Sequence, residues 1–233
     1  MSDGKFQEIK NSQGPIPQPK NAVEDLFFQI PAGKEQPGLQ QCGPVAAGDD
    51  TWYTINNLGF RGQEFEGRQA VVGDSYVFGI GVDTCFAEQI GYDNLGTPAA
   101  SNDLITRRAI QYIHNYSPDE LIVVWTYGYR REWITPDGEP YEFKRKMKGE
   151  WSDAEFALAE LSNYDYDTYS WFKNRWLLML YADVAECDIR EYNNHTIDPT
   201  QYSPPGKDGK HPGQGWHDAM AQMILDRTPR VPL

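Results

Sequence analysis

Apolar residues fall along this chain in two rhythms, and each predicts a different element. "QAVVGD", Gln69 to Asp74, is a short β-branched run bounded by a glycine, the pattern of a strand buried on both faces. "YDNLG", from Tyr92, and "ELIVVWTY", Glu120 to Tyr127, predict two more strands. Between them, Leu104, Ile105, Ala109, Ile110 and Ile113 recur at helical spacing from Ser101 to Asn115, with Ser101, Asn102 and Asp103 supplying the cap and first-turn acid. A shorter helix is expected over 83–91. Strand, helix, strand, helix, strand in close succession predicts a parallel sheet with right-handed crossovers.

The flanks are less regular. Residues 1–20 are polar and broken by Gly14, Pro15, Pro17 and Pro19; "NAVEDLFFQI" at 21–30 suits a short helix or strand, and Pro and Gly residues from Pro31 to Gly48 interrupt the chain again. Residues 1–50 are therefore expected to be a partly irregular arm, and 51–230 the domain. "TWYTINNLGFRG" alternates as a strand that ends in a turn at Asn57 to Gly59. After Tyr127 an aromatic-rich excursion, about 128–163, carries the turn signal Pro136-Asp137-Gly138 and reads as a β-hairpin or long loop. Helical pattern returns at 152–162 and at 166–185, where Trp171, Trp176, Leu177, Leu180 and Tyr181 share a face. A weak fourth strand is expected near 188–192, and a last helix enters through Pro212 and Gly213.

Charge narrows the partners. A formal net charge of -13 over 233 residues repels phosphate backbones and anionic headgroups, which excludes nucleic acid as a partner; the basic cluster Lys144-Arg145-Lys146 with Lys148 reads as a solvated segment. No window approaches the ~20 apolar residues of a membrane span, and no leader pattern opens the chain. Cys42, Cys85 and Cys187 are too far apart for a paired-cysteine metal site and odd in number, so free thiols and a cytoplasmic setting are expected. Nothing in the composition speaks to oligomeric state.

Ser75 follows the first parallel strand, where open α/β sheets place their ligands. A strand-to-helix turn capped by Asp74 or Ser75 would explain the tripeptide Gly73-Asp74-Ser75 equally well, so partners must decide. A serine nucleophile needs a base, usually His oriented by a carboxylate. Of the four histidines, His114 reads as a helix-end residue and His195 sits in a polar loop, whereas His211 follows Asp208 by three residues in "KDGKHPGQGWH". A turn of that length can bring a carboxylate to Nδ1 and leave Nε2 facing outward.

The chain resembles the SGNH/GDSL hydrolase family on these blocks: Gly73-Asp74-Ser75 after the first strand, Asp208-Gly209-Lys210-His211 before the last helix, the lead-in "NNLGFRG" and the segment "SYVFGIGV". The resemblance spans about 51–226. It implies a three-layer α/β/α, flavodoxin-like fold with a central parallel sheet, and a serine esterase that needs no cofactor. It further implies Ser75 as nucleophile, His211 as general base and Asp208 as its orienting carboxylate. The oxyanion would be met by the Ser75 N–H and by a main-chain donor in "NLGTPAASN", where Gly96 and Ala99 are joint candidates.

One block departs from the family pattern. The asparagine expected after the third strand is missing from "TYGYRREW"; registering on Gly128 puts Arg130 in its place as a substitute donor, with a surface arginine as the alternative. Asn102-Asp103 resembles the missing pair but follows the wrong strand, and helix capping accounts for it. The expected substrate is a small-molecule ester or an acylated carbohydrate; Trp125, Trp133 and Trp151 are candidates to stack on sugar rings, with core packing as the reading that explains most aromatics. The competing reading is an SGNH-like binding module that turns nothing over. A zinc site from Asp208, His211 and His217 and a nucleotide loop at Gly79-Ile80-Gly81 lack supporting motifs.

Overall fold

The computed structural model describes residues 38–41, 52–134, 140–143, 164–194, 197–202 and 204–227. In chain order its elements are β1 (Gly38–Gln41), β2 (Trp52–Ile55), β3 (Gln69–Gly73), α1 (Ser75–Phe78), α2 (Phe86–Gln89), β4 (Asp93–Gly96), α3 (Asn102–Tyr116), β5 (Glu120–Trp125), β6 (Arg131–Ile134), β7 (Pro140–Phe143), α4 (Tyr164–Val184), β8 (Asp188–Asn193) and α5 (Gln214–Leu225), with a 3-10 turn at Pro199–Gln201 before α5. The apolar runs make a four-stranded sheet in the order β4-β3-β5-β8, parallel throughout. Register aligns Gly73 with Gly96 and Trp125 with Asn193, so the four carboxyl ends lie along one edge. That edge is where such sheets build their sites.

Both faces of the sheet are covered, because successive strand side chains point to opposite sides. Ala70, Val72, Leu121, Val123 and Trp125 pack with Leu104, Ile105, Ala109 and Ile113 of α3 and Leu178 of α4. Val71, Ile122 and Val124 pack on the other side with Phe86, Trp216, Met220 and Ile224. The result is the α/β/α layering that the order of elements predicts. Each aliphatic side chain so buried contributes about 1.5–3 kcal/mol relative to exposure. No helix among the described residues is long and apolar enough to cross a membrane.

Several local expectations need correction. The helix expected over 83–91 is shorter, Phe86–Gln89, and a separate turn of helix, α1, starts at Ser75 itself. Left-handed backbone at Gly79 and Gly81, with φ +79° and +81°, separates the two. The apolar face expected on α4 is not the buried one: Trp176, Leu177 and Leu180 are exposed, while Ser170, Asn174, Leu178 and Ala182 are buried, with Trp171 and Tyr181 packed beside them. Within the arm, Gly38–Gln41 pairs antiparallel with β2 instead of breaking the chain. The excursion contributes the antiparallel pair β6-β7. The patterns at 21–30 and 152–162, Cys42, Trp151 and His195 lie outside the described residues. Cys85 and Cys187 are buried free thiols, and burial pushes Cys85 up to about 12.

Candidate active site at the sheet edge

The first element of the site is the turn from β3 into α1. A Cβ on Gly73 would fall 2.3 Å from Val77 Cγ2 and 3.0 Å from the Val124 carbonyl oxygen, so only glycine lets the chain fold back here. Asp74 caps α1, its Oδ1 accepting from the Tyr76 N–H at 3.0 Å. Its other oxygen gathers three donors from the neighbouring strand ends: Thr126 Oγ1 at 2.6 Å, Arg130 Nη1 at 2.7 Å and Asn194 Nδ2 at 2.9 Å. Asp74 is fully buried and is the node that ties β3, β5 and β8 together at their carboxyl ends. Ser75, 5% exposed, is the next residue.

The lead-in segment has a structural reason. Arg61 of "LGFRG" is buried, and its guanidinium donates to the carbonyls of Gly79 at 2.6 Å, Val82 at 3.1 Å and Asp83 at 2.8 Å while pairing with Glu88. It thereby clamps the turn behind α1. Burial alone would lower its pKa, but Cys85 and Glu88 nearby outweigh that and raise it. Tyr53 adds a second anchor, its hydroxyl accepting the Gly81 N–H at 2.7 Å.

The C-terminal loop docks against this same turn. Lys207 N–H donates to the Gly81 carbonyl at 2.8 Å, and a Cβ on Gly81 would lie 2.8 Å from Asp208 Oδ1. Asp208 Oδ1 accepts from the His211 and Lys210 N–H groups at 3.1 and 3.2 Å, and Asp208 Oδ2 lies 2.5 Å from His211 Nδ1. Partial burial would raise the Asp208 pKa; hydrogen bonds from the His211 ring and from the two backbone N–H groups lower it further than burial raises it, so the carboxylate is ionised. With Nδ1 facing a carboxylate, the neutral imidazole carries its proton there and leaves Nε2 as an acceptor. The His211 ring stands edge-on to Tyr76, centroids 6.2 Å apart. Around it is a 240 Å³ cavity bordered by Tyr76, Pro199, Tyr202 and Lys210.

The structure thus brings Asp208 to His211 and His211 to the neighbour of Ser75. No hydrogen bond joins the Ser75 hydroxyl to His211 among the described residues. Gly96 and Ala99 separate clearly. The Gly96 N–H is already given to Asn94 Oδ1 at 2.8 Å, and a Cβ there would lie 2.2 Å from the Phe78 nitrogen, so this glycine is needed for the close approach of α1. Ala99 is half-buried with φ +64°, a left-handed backbone unusual for a residue with a Cβ, and its N–H has no partner among the described residues. Arg130 is no loose surface residue: besides Asp74 it donates to Thr126 Oγ1 at 3.0 Å and covers the Tyr127 ring at 5.1 Å.

Asn102 does more than cap. Ser101 is the cap of α3, whereas the buried Asn102 amide donates to the Thr126 carbonyl and accepts its N–H, stitching α3 to the end of β5. Asp103 accepts from the Glu132 N–H and from Asn174. His114 lies 3.0 Å from the Tyr181 hydroxyl. His217 is buried and stacked on Phe86, its Nδ1 accepting the Phe86 N–H; burial, then the charge of Arg61, pushes its pKa down to about 3. Among the described residues no group of three or more His, Cys, Asp or Glu could hold a metal ion. Trp125 is core, its indole N–H donating to Glu191 at 3.0 Å.

Tyr76, Thr126 and Asn194 were not foreseen from sequence. Asn194 and Thr126 stand at strand carboxyl ends, and that position was the available signal. The molecule is thus an α/β protein with a serine, a histidine–aspartate pair and a buried acidic node gathered at the carboxyl edge of its sheet. No protein-family model, curated protein or solved structure matches the chain.

Proposed function

We propose that this protein is a serine hydrolase that cleaves a carboxylic ester through an acyl-serine, as its resemblance to the SGNH/GDSL family implies. The observation that supports it is the docking of the Asp208–His211 pair onto the turn just behind Ser75, across nearly the whole domain sequence. In this reading Ser75 Oγ attacks the ester carbon while His211 Nε2 takes its proton. Asp208 holds the tautomer and stabilises the imidazolium. The oxyanion is met by the N–H groups of Ser75 and Ala99, and by those guanidinium N–H groups of Arg130 that Asp74 and Thr126 do not occupy. The imidazolium then protonates the leaving alcohol, water attacks the acyl-serine with His211 again as base, and the acid departs. Buried free thiols support a reducing, cytoplasmic setting.

A second reading, an SGNH-like binding module, is favoured by the missing Ser75–His211 hydrogen bond. Catalytic hydrogen bonds are often long before substrate binds, so that gap does not remove the first reading. Hydrolysis of p-nitrophenyl acetate separates them. The hydrolase reading expects turnover that falls by about a thousandfold or more in Ser75→Ala and in His211→Ala. Turnover indistinguishable from buffer, or unchanged in Ser75→Ala, favours the binding module.

A further inference from the structure

A second, larger cavity of 550 Å³ opens at the carboxyl ends of β5 and β8, outside the Ser75–His211 constellation. Thr126 and Asn194 line it, and both donate to Asp74, the residue before Ser75. The Tyr127 hydroxyl hydrogen-bonds to that of Tyr76, so this tyrosine pair stands between the large cavity and the smaller one at His211. Burial, then the Tyr127 neighbour, pushes Tyr76 up to about 12, which keeps its phenol neutral.

The walls alternate flat apolar faces with hydrogen-bonding groups. Tyr127 and Tyr129 are stacked at 5.4 Å with planes 20° apart, and Trp171 and Phe172 meet at 4.8 Å. Between them lie the hydroxyl of Thr168, the amides of Asn193 and Asn194 and the carboxylate of Asp167, which pairs with Arg131. Asn194 is 1% exposed, and its Oδ1 has no hydrogen-bond donor among the described residues. An unfilled buried acceptor suits a ligand that brings hydroxyl or amide donors, and an alkyl chain would bring none. Among the described residues no basic side chain lines the cavity, and the chain's -13 formal charge disfavours an anion.

We infer that this cavity binds the ring of a neutral saccharide, its C–H faces on the Tyr127–Tyr129 and Trp171–Phe172 walls and its hydroxyls directed at the amides. The inference rests on the hydrolase reading only for its context: it assigns the acylated sugar as the alcohol part of the ester. Binding itself needs no turnover. Trp125 also borders this cavity but is only 1% exposed, so the stacking faces are those of the aromatic residues at the sheet edge.

The test is calorimetric titration of the Ser75→Ala protein with neutral gluco-, xylo- and N-acetylglucosamine oligosaccharides, a uronic-acid oligosaccharide and octanoate. Saturable binding of at least one neutral oligosaccharide is expected, with Kd about 1 mM or tighter, together with weakening of tenfold or more in Trp171→Ala and in Phe172→Ala. Phe172 is 46% exposed, so its replacement keeps the test valid if the Trp171 variant fails to fold. Silence toward every neutral oligosaccharide overturns the inference, as does binding that neither variant weakens, or octanoate binding that both variants abolish. Sugar binding in a protein whose wild type hydrolyses no ester supports the saccharide site while removing the hydrolase reading. Ester turnover without sugar binding does the reverse.

Discussion

Two aspartates flank the candidate nucleophile, and they are held in opposite ways. Asp74 is fully buried and collects three donors from the segments that follow β5 and β8, one of them a guanidinium. Asp208 is half-buried, and among the described residues its hydrogen-bond donors all come from its own loop: two backbone N–H groups and the ring of His211. A carboxylate with distant partners fixes architecture, whereas one with local partners sets the orientation of a single imidazole. The serine side of the site is therefore rigid by construction. The histidine side rests on a surface loop with two left-handed glycines beneath and within it, Gly81 and Gly209. The Ser75–His211 gap lies between a fixed wall and an adjustable one.

Substitutions can break that contrast, and the largest effect is expected at Asp208. Asp208→Asn removes the charge that holds the His211 tautomer and is expected to cut ester turnover by about four orders of magnitude, with little change in the urea midpoint. Asp74→Ala should behave in the opposite sense, destabilising the fold by about 3–5 kcal/mol because Arg130, Thr126 and Asn194 lose their shared acceptor; equilibrium urea unfolding reads it. Equal stability losses in the two variants would erase the distinction.

Acid sharpens the comparison further. His217 has its pKa lowered from 6.5 to about 3, so the unfolded chain takes up a proton that the folded one refuses, and stability falls as pH drops from about 6.5 toward 3. The total is on the order of a few kcal/mol, and His217→Phe should flatten that limb in urea titrations at pH 7, 5 and 4. Asp208, whose pKa is lowered, adds its loss only below the ordinary carboxylate value of 3.8. Gly96→Ala drives a Cβ against the α1 backbone and should cost about 1–3 kcal/mol or more. The smallest change is Ala99→Gly: relief of the left-handed backbone, about 1–2 kcal/mol, exceeds the added unfolded-state entropy of about 0.4–1 kcal/mol. A melting temperature raised slightly with turnover intact would support Ala99 as a main-chain donor.

What could be read beforehand followed from local physics. β3, β5 and α3 were legible because continuous apolar runs and a capped amphipathic repeat leave few alternatives, and the Asp208–His211 turn was legible because both residues lie within one loop. The Asp74 node was not, since its partners come from two distant segments, Thr126 and Arg130 after β5 and Asn194 after β8, and nothing local marks their meeting. α4 failed differently. Apolar side chains surround it, from Trp171 and Leu178 to Trp176 and Leu180, so periodicity could not select the face that packs. The joint candidates Gly96 and Ala99 were separable only once the side chain of Asn94 and the backbone of α1 were in view.

The central claim is that Ser75 is a nucleophile served by His211, and one labelling experiment addresses it most directly. Incubation with a fluorophosphonate, followed by intact mass and peptide mapping, should add one phosphonyl group at Ser75 in the wild type and in Ala99→Gly, and none at comparable times in His211→Ala. An unmodified wild-type protein, or a Ser75 adduct that forms equally fast without His211, would contradict the account.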